Sequence, residues 1–297
     1  DVTSEPGSSM RQVARQLVEA GIDVQPAVLV ALARITRQAH AIKAGSYEIG
    51  RGTTLLDLLH KLTRGDVTQA EIVFIEGWTF RQMRERLNAH PDIQHESRDL
   101  SDAEIMRRIG AQGEGTAMPE GWFFPDTYLF SKRSSDLDLL ARAHRAMRRH
   151  LEREWEQRAP QSPLSTPYQA LILASIVEKE TGREADRALV AAVFQNRLRQ
   201  GMLLQSDPTV IYGLGERFDG NLRKRDLSAD TPYNTYVRAG LPPTPIALPG
   251  LASLQAVLHP APSRALYFVA SGDGSSHFSH TLEEHNQAVN RYQRGAR

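Results

Sequence analysis

YQALILASIVEKET, running from Tyr168 to Thr181, follows Pro167 and stays almost wholly apolar until Glu178-Lys179-Glu180. It has room for about four helical turns at 3.6 residues per turn. On a helical wheel Glu180 falls between Leu173 and Ile176, close to Val177. Glu178 falls on the far side, near Leu171 and Ala174. Residues two apart do not face each other on a helix, so the two glutamates are not a carboxylate pair. A carboxyl among bulky apolar side chains is partly desolvated, which favours its neutral form. A protonated Glu of that kind serves as a general acid near neutral pH. The other reading of the same wheel has Glu180 ending the helix and pointing into water.

The rest of the chain sets bounds. At 297 residues it holds one large or two ordinary domains. An apolar content of 40% and a charged content of 24% are those of a globular protein. A formal net charge of +1 argues against a general polyanion binder and so against nucleic acid as partner, although basic residues cluster in 142–153 and 217–225. With no cysteine, disulfides, thiolate metal sites and a Cys nucleophile are excluded. No apolar run approaches the roughly 20 residues of a membrane helix. The opening DVTSEPGSS lacks a signal pattern, and a chain starting at Asp reads as a fragment without its N-terminal segment.

The N-terminal third repeats one pattern. Ser9, Thr54 and Thr79 each precede apolar residues at positions one, four and eight, ending at Leu17, Leu62 and Leu87. A Ser or Thr N-cap followed by that stripe predicts a short amphipathic helix, with stops at Gly21, Gly65 and the Pro91 region. Pro26–Ala39 reads as a further helix, with Val28, Leu29, Leu32 and Ile35 inward. Ser46–Ile49 and Glu71–Ile75 read as strands. Residues 1–90 are therefore expected to be small α+β modules, used for docking or spacing or, more sharply, for binding glycan.

Residues 91–167 are expected to connect. A helix at Ser101–Gly110 opens on a Ser101/Glu104 capping box. The ordered loop EGWFFPDTYLF, Glu120–Phe130, sets aromatic faces beside carboxylates. Such faces suit sugar rings, though most of these aromatics are expected to build core. Asp136–Arg158 is a long charged amphipathic helix. Residues 168–297 follow as the expected catalytic domain, mainly helical: Asp186–Gln200, Ser253–Leu258 and Thr281–Gln293 are helices, and Ala265–Ala270 with Ser276–Ser279 flank Gly272-Asp273-Gly274 as a β-hairpin. Gln205–Thr209 is expected to break regular structure. The long stretch rich in Asn, Thr, Tyr and Pro around Thr231–Ile246 has the character of a site loop. P-loop, dinucleotide, His-Glu-x-x-His and Gly-x-Ser-x-Gly signatures are missing. His277, His280 and His285 are the only local histidine group. No cofactor or metal is expected.

ASIVEKET (Ala174–Thr181), LQSDPTVIYG (Leu204–Gly213), DTPYNTYVRAGLPPTPIALPG (Asp230–Gly250), LYFVASGDGSSHFS (Leu266–Ser279) and EEHN (Glu283–Asn286) come in order. KAGSYEI (Lys43–Ile49), IEGWTF (Ile75–Phe80) and the Glu120–Phe130 loop precede them. Together they resemble the endolytic murein transglycosylase family, also called YceG-like, over nearly the whole chain. The resemblance implies an α+β protein: a small LysM-like module, then a mainly helical catalytic domain that cleaves peptidoglycan glycan strands internally. It implies a bacterial inner-membrane location with the enzyme on the periplasmic face, held by an anchor helix absent from this chain, and peptidoglycan synthases as possible partners. The family's catalytic Glu falls on Glu180. Ser206 stands where many members have Thr, and Phe218-Asp219 where Tyr-Asn is common.

The implied chemistry needs one carboxyl group. Glu180 gives its proton to the glycosidic oxygen on C1 of N-acetylmuramic acid. The ionised Glu180 then takes a proton from that sugar's C6 hydroxyl, which attacks C1 and leaves a 1,6-anhydro end. Gln205, Ser206, Asp207, Thr209, Tyr212, Tyr233, Asn234 and Tyr236 are the candidates for lining the groove and orienting Glu180; for each the alternative is a hydrogen bond serving the loop. A hydrolytic muramidase with Asp207 or Glu178 as second carboxylate stays open, as does a non-catalytic peptidoglycan-binding scaffold.

Overall fold

Capping residues set where most helices begin. Ser9 and Gln12 form a reciprocal capping box that opens α1 (Met10–Glu19). Thr54 accepts the Asp57 N–H at the head of α3 (Leu55–Arg64), which Gly65 closes in the left-handed region, φ 77°. Between these helices lie α2 (Pro26–Ile35) and β2 (Gly45–Tyr47), and β1 (Val2–Ser4) precedes them. The computed structural model describes residues 2–4, 7–39, 41–43, 45–47, 49, 52–65 and 69–294.

The chain divides into two compact units. The first comprises Asp1–Ile72, Leu87–Glu96 and Thr127–Leu139; the second comprises Val73–Arg86, Ser97–Asp126 and Leu140–Arg297. In the first unit β1 pairs antiparallel with β2, Val2 opposite Tyr47. Met10, Val13 and Leu17 of α1 meet Leu29 and Ala33 of α2 and Leu58, Leu59 and Leu62 of α3 in one core. The expected inward face of α2 is corrected here: Leu29 and Ala33 are buried, whereas Val28 is 48% and Ile35 79% exposed. Val28 and Ile35 are apolar but lie off the stripe that the core uses. The expected Ser46–Ile49 strand sits at Gly45–Tyr47, and its Glu48 lies outside the described residues.

Next come β3 (Gln69–Val73), α4 (Phe80–Asn88), β4 (Ile93–Gln94), α5 (Asp102–Arg108), β5 (Thr127–Ser131), β6 (Ser134–Ser135) and α6 (Asp136–Glu156). Strand β3 pairs with β5, and β4 runs parallel to β6. Only half of the expected box at α5 forms: Ser101 accepts the Glu104 N–H, while the Glu104 carboxylate turns to Arg107 and Arg108. Trp122, Phe123, Tyr128 and Phe130 are buried, the core use expected for most of the aromatic loop.

The second unit is built around α7 (Pro167–Glu180), opened by Thr166, which accepts the Gln169 N–H. Tyr168 and every residue from Ala170 to Val177 are buried. A helix apolar all round belongs in a core, and each buried Leu or Ile contributes roughly 1.5–3 kcal/mol. Its neighbours are α8 (Arg187–Arg199), α9 (Asp207–Leu214) and α11 (Leu251–Leu258); α10 (Lys224–Ser228) lies in the loop between the last two. Contrary to the expected break at Gln205–Thr209, Asp207, Pro208 and Thr209 form the first turn of α9, with Pro208 where its missing N–H costs nothing. The expected hairpin is present: β7 (Tyr267–Ala270) pairs antiparallel with β8 (Ser276–Ser279). Helix α12 (Leu282–Val289) closes the unit with a Thr281/Glu284 capping box. The described residues thus form an α+β fold of helices and two-stranded sheets. None of their helices is long and apolar enough to cross a membrane.

Candidate active site

Helix α7 delivers Glu180 from its last helical position, because Thr181 turns to extended backbone (ψ 108°) and returns its hydroxyl to the Val177 carbonyl. The Glu180 carboxyl is half-buried rather than pointing freely into water. Its Oε1 accepts from Ser206 Oγ at 2.7 Å. Burial pushes its pKa up to about 6; the Ser206 hydroxyl opposes that, Asp207 adds to it, and the Arg197 charge opposes it. The carboxyl can therefore hold its proton in mildly acidic solution and release it near neutrality.

Ser206 is fully buried and held from three directions. Its N–H donates to Thr235 Oγ1 at 3.0 Å and its carbonyl accepts from Thr209 Oγ1 at 2.7 Å. The Thr209 and Thr235 hydroxyls lie 2.9 Å apart. Gln205 is exposed, adopts φ +52° and donates its N–H to the Thr235 carbonyl at 3.0 Å. Residues 205–206 and 235 are thereby laced together, and the lacing aims the Ser206 hydroxyl at Glu180. Tyr236 donates to Asp207 Oδ1 at 2.6 Å, so the exposed Asp207 is oriented beside Glu180. Burial and the Asp207 carboxylate hold the Tyr236 phenol above its ordinary pKa.

The remaining expected groove residues divide. Asn234 is fully buried, and its amide NH₂ reaches the carbonyls of Asp226, Leu227 and Ala229 while its Oδ1 accepts the Tyr236 N–H. That geometry gives Asn234 the alternative role, a hydrogen-bonding residue that holds the loop carrying Thr235 and Tyr236. Thr209 is buried and braces Ser206. Tyr212 and Tyr233 meet edge to face at 4.9 Å further along α9. Tyr233 shares a hydrogen bond with Thr244 Oγ1, and Tyr212 donates to Glu120 Oε2.

Glu178 is occupied elsewhere. Its Oε2 accepts the Gly250 N–H at 3.0 Å and the Ser253 hydroxyl at 2.7 Å, at the N-terminus of α11. A carboxylate there satisfies orphan helix N–H groups and complements the helix dipole. A Cβ at Gly250 would lie 1.9 Å from Glu76 Oε1, so a larger residue there makes the Glu76 side chain move aside.

Three contributors escape sequence reasoning. Thr235 lies inside the Asp230–Gly250 motif, a small hydroxyl residue between Tyr233 and Tyr236 with no pattern of its own. Arg197 is buried in α8 and donates to the carbonyls of Leu266, Leu203 and Leu204, bracing the segment that leads into Ser206. Its spacing from Val190 and Val193 puts it on the buried stripe, a signal that a wheel of α8 contains. Glu120 is buried in an irregular loop, where no periodicity announces it.

Comparison with known proteins agrees with this architecture. The model of the YceG-like family matches residues 2–291. The endolytic murein transglycosylase of Bacillus subtilis (strain 168) is 32% identical over 268 residues, covering 86% of this chain and 74% of that protein. The endolytic murein transglycosylase of Streptococcus pneumoniae serotype 2 is 26% identical over 316 residues, covering 95% of this chain; the chain spans 56% of that longer protein. The crystal structure of the yceG-like protein lmo1499 from Listeria monocytogenes superposes with a TM-score of 0.59 at 29% identity, covering 96% of this chain and 97% of that one. A match across almost the entire length makes the chain a member of the YceG-like family.

Proposed function

We propose that this chain is an endolytic peptidoglycan transglycosylase, a lyase that cuts glycan strands internally at the β-1,4 bond from N-acetylmuramic acid to N-acetylglucosamine. The observation that carries the reading is a single poised carboxyl. Glu180 is desolvated and oriented by Ser206, while Glu178 on the same helix is committed to α11. Protonated Glu180 donates to the glycosidic oxygen as its bond to C1 breaks, and the glucosamine end departs as an alcohol. The ionised Glu180 then accepts the proton of the muramic acid C6 hydroxyl as that oxygen bonds to C1. One proton cycles, no water is consumed, and the new end is 1,6-anhydro. Because the nucleophile belongs to the same sugar, its attack gains from proximity.

Asp207, Tyr236 and the exposed Gln205 are the side chains proposed to meet the strand at the cleaved bond, with the buried Ser206 orienting Glu180 behind them and Tyr212 and Tyr233 further along. Residues 168–297 carry the chemistry in this reading. The N-terminal module is proposed to be LysM-like and to hold glycan: a cavity of about 580 Å³ there is lined by Ser8, Ser9, Arg11 and Arg34. Work at the outer face of the inner membrane, beside peptidoglycan synthases, belongs to the same proposal. Cell fractionation of the native protein checks that placement.

Hydrolysis remains a second reading because of Asp207, whose charge reaches Glu180 and whose position Tyr236 fixes. Mass spectrometry of glycan strands digested by the wild type and by Glu180→Gln decides. Anhydro ends that vanish in the variant are expected. Reducing ends would make the enzyme a muramidase, and no cleavage by the wild type would leave a binding scaffold.

A further inference from the structure

A second cavity opens one helical turn further along α9. It encloses about 890 Å³ between the start of α4, the segment at Met118–Glu120 and the far end of α9. Ile211 and Tyr212 of α9 line it, with Phe218 from the turn that follows the helix. Glu120, only 5% exposed, is its most unusual wall residue. Its Oε1 accepts the Phe80 N–H at 2.9 Å and its Oε2 accepts the Tyr212 hydroxyl at 3.1 Å. Burial pushes its pKa up to about 7, so in mildly acidic solution this carboxyl is a neutral donor and acceptor.

The charges on the cavity wall are already engaged. Arg84 is held by Asp102 and by the carbonyls of Ser97, Arg98 and Leu100. Arg81 pairs with Glu216 at 3.0 Å. What the space offers a ligand is a set of polar groups, from Thr79, Gln82, Glu120 and Tyr212, beside the flat apolar faces of Phe218 and Pro119. That mixture fits an uncharged ring with hydroxyl rims and C–H faces better than it fits an anion or a lipid tail.

Its position links it to Glu180. Asp207, whose charge acts on Glu180, and Ile211, which lines the cavity, are one turn apart on the same side of α9. The rise from Asp207 to Tyr212 is roughly 7.5 Å, at 1.5 Å per residue. A glycan strand lying along that side of α9 covers such a span within a few sugar residues. We propose that this cavity is a second saccharide site, taking an N-acetylated hexosamine of the same strand a short distance from the bond broken at Glu180, with Phe218 against the ring face and Glu120 and Tyr212 on the ring's polar edge. The inference rests on the glycan-cleaving reading of Glu180 and adds to it. A strand must then occupy both places to be held tightly, which favours cuts away from strand ends.

Calorimetry with β-1,4-linked N-acetylglucosamine oligomers, on the full chain carrying Glu180→Gln to prevent cleavage, tests it. The hexamer is expected to bind about tenfold tighter than the trimer, a difference of about 1.4 kcal/mol. Adding Phe218→Ala should bring the two affinities to within about twofold, and Phe218→Trp should restore the gap. An unchanged gap in Phe218→Ala, or equal affinities in the parent, overturns the second site. A parent that binds neither oligomer, while the wild type cuts intact strands, overturns this inference alone. A wild type that leaves strands uncut overturns the glycan reading beneath it.

Discussion

At the residue scale, proton affinity at Glu180 is set by competing neighbours that can be removed one at a time. Cleavage requires the protonated form, so kcat/KM should be level in acid and fall as pH rises through about 6. Ser206→Ala removes a hydroxyl that stabilises the ionised form and should move that falling limb up by about one pH unit. Asp207→Asn removes a negative charge that opposes ionisation and should move the limb down. Opposite displacements in pH–rate profiles on purified glycan strands are the expected signature; two shifts of the same sign would mean that the limb belongs to another group. Glu180→Gln should lower the rate by about 10²–10⁴ on the acid plateau, the usual contribution of a positioned acid, and the gap should narrow as pH rises through the limb.

At the scale of elements, the site depends on the lacing of residues 205–206 with 235. Thr235→Val keeps the shape but removes the acceptor of the buried Ser206 N–H. An unpaired buried donor costs about 1–3 kcal/mol, which urea unfolding should register together with a lower kcat. Asn234→Ala should cost at least as much, since its amide serves the loop through four hydrogen bonds. Most helices were legible in the sequence, because Ser9, Thr54, Thr79 and Thr281 are local caps and Gly65 is a local stop. The Glu180 helix was legible because its run is almost wholly apolar over several turns. Features that depend on distant partners were not legible. The face of α2 is chosen by which neighbours cover it, so Val28 and Ile35 could not be told from Leu29. Strands β1 and β2 are three residues each, too short for alternation to show. The start of α9 was hidden by Pro208, which reads equally as a breaker and as a first-turn residue. Within the site, Glu180 was reachable by its wheel, whereas the burial of Glu120 arises from an irregular loop meeting Phe80 and Tyr212.

At the scale of the whole molecule, Glu120 and Glu180 both hold their protons more tightly in the folded than in the unfolded chain. Their contribution to stability is therefore full below the ordinary carboxyl pKa of 4.5 and is lost as pH rises through about 6 for Glu180 and about 7 for Glu120. For Glu120 the loss is roughly 3 kcal/mol. The wild type should thus lose this contribution between mild acid and mild alkali, while His144, His150 and His285, held by burial below their ordinary pKa, pull the other way; Glu120→Gln should remove the Glu120 part of the slope, and an equal slope in both, measured by urea unfolding, would remove Glu120 as a source. A last consequence concerns the final turn of α7. Glu178 is tied to α11 and Glu180 to the segment entering α9, so two carboxylates anchor one turn from opposite sides. Such an anchored turn has little reorganisation left to undergo when the proton moves. The entropy of arranging the acid was spent during folding, so amide exchange in this turn should be as slow without glycan as with it, leaving the strand as the partner that must adapt.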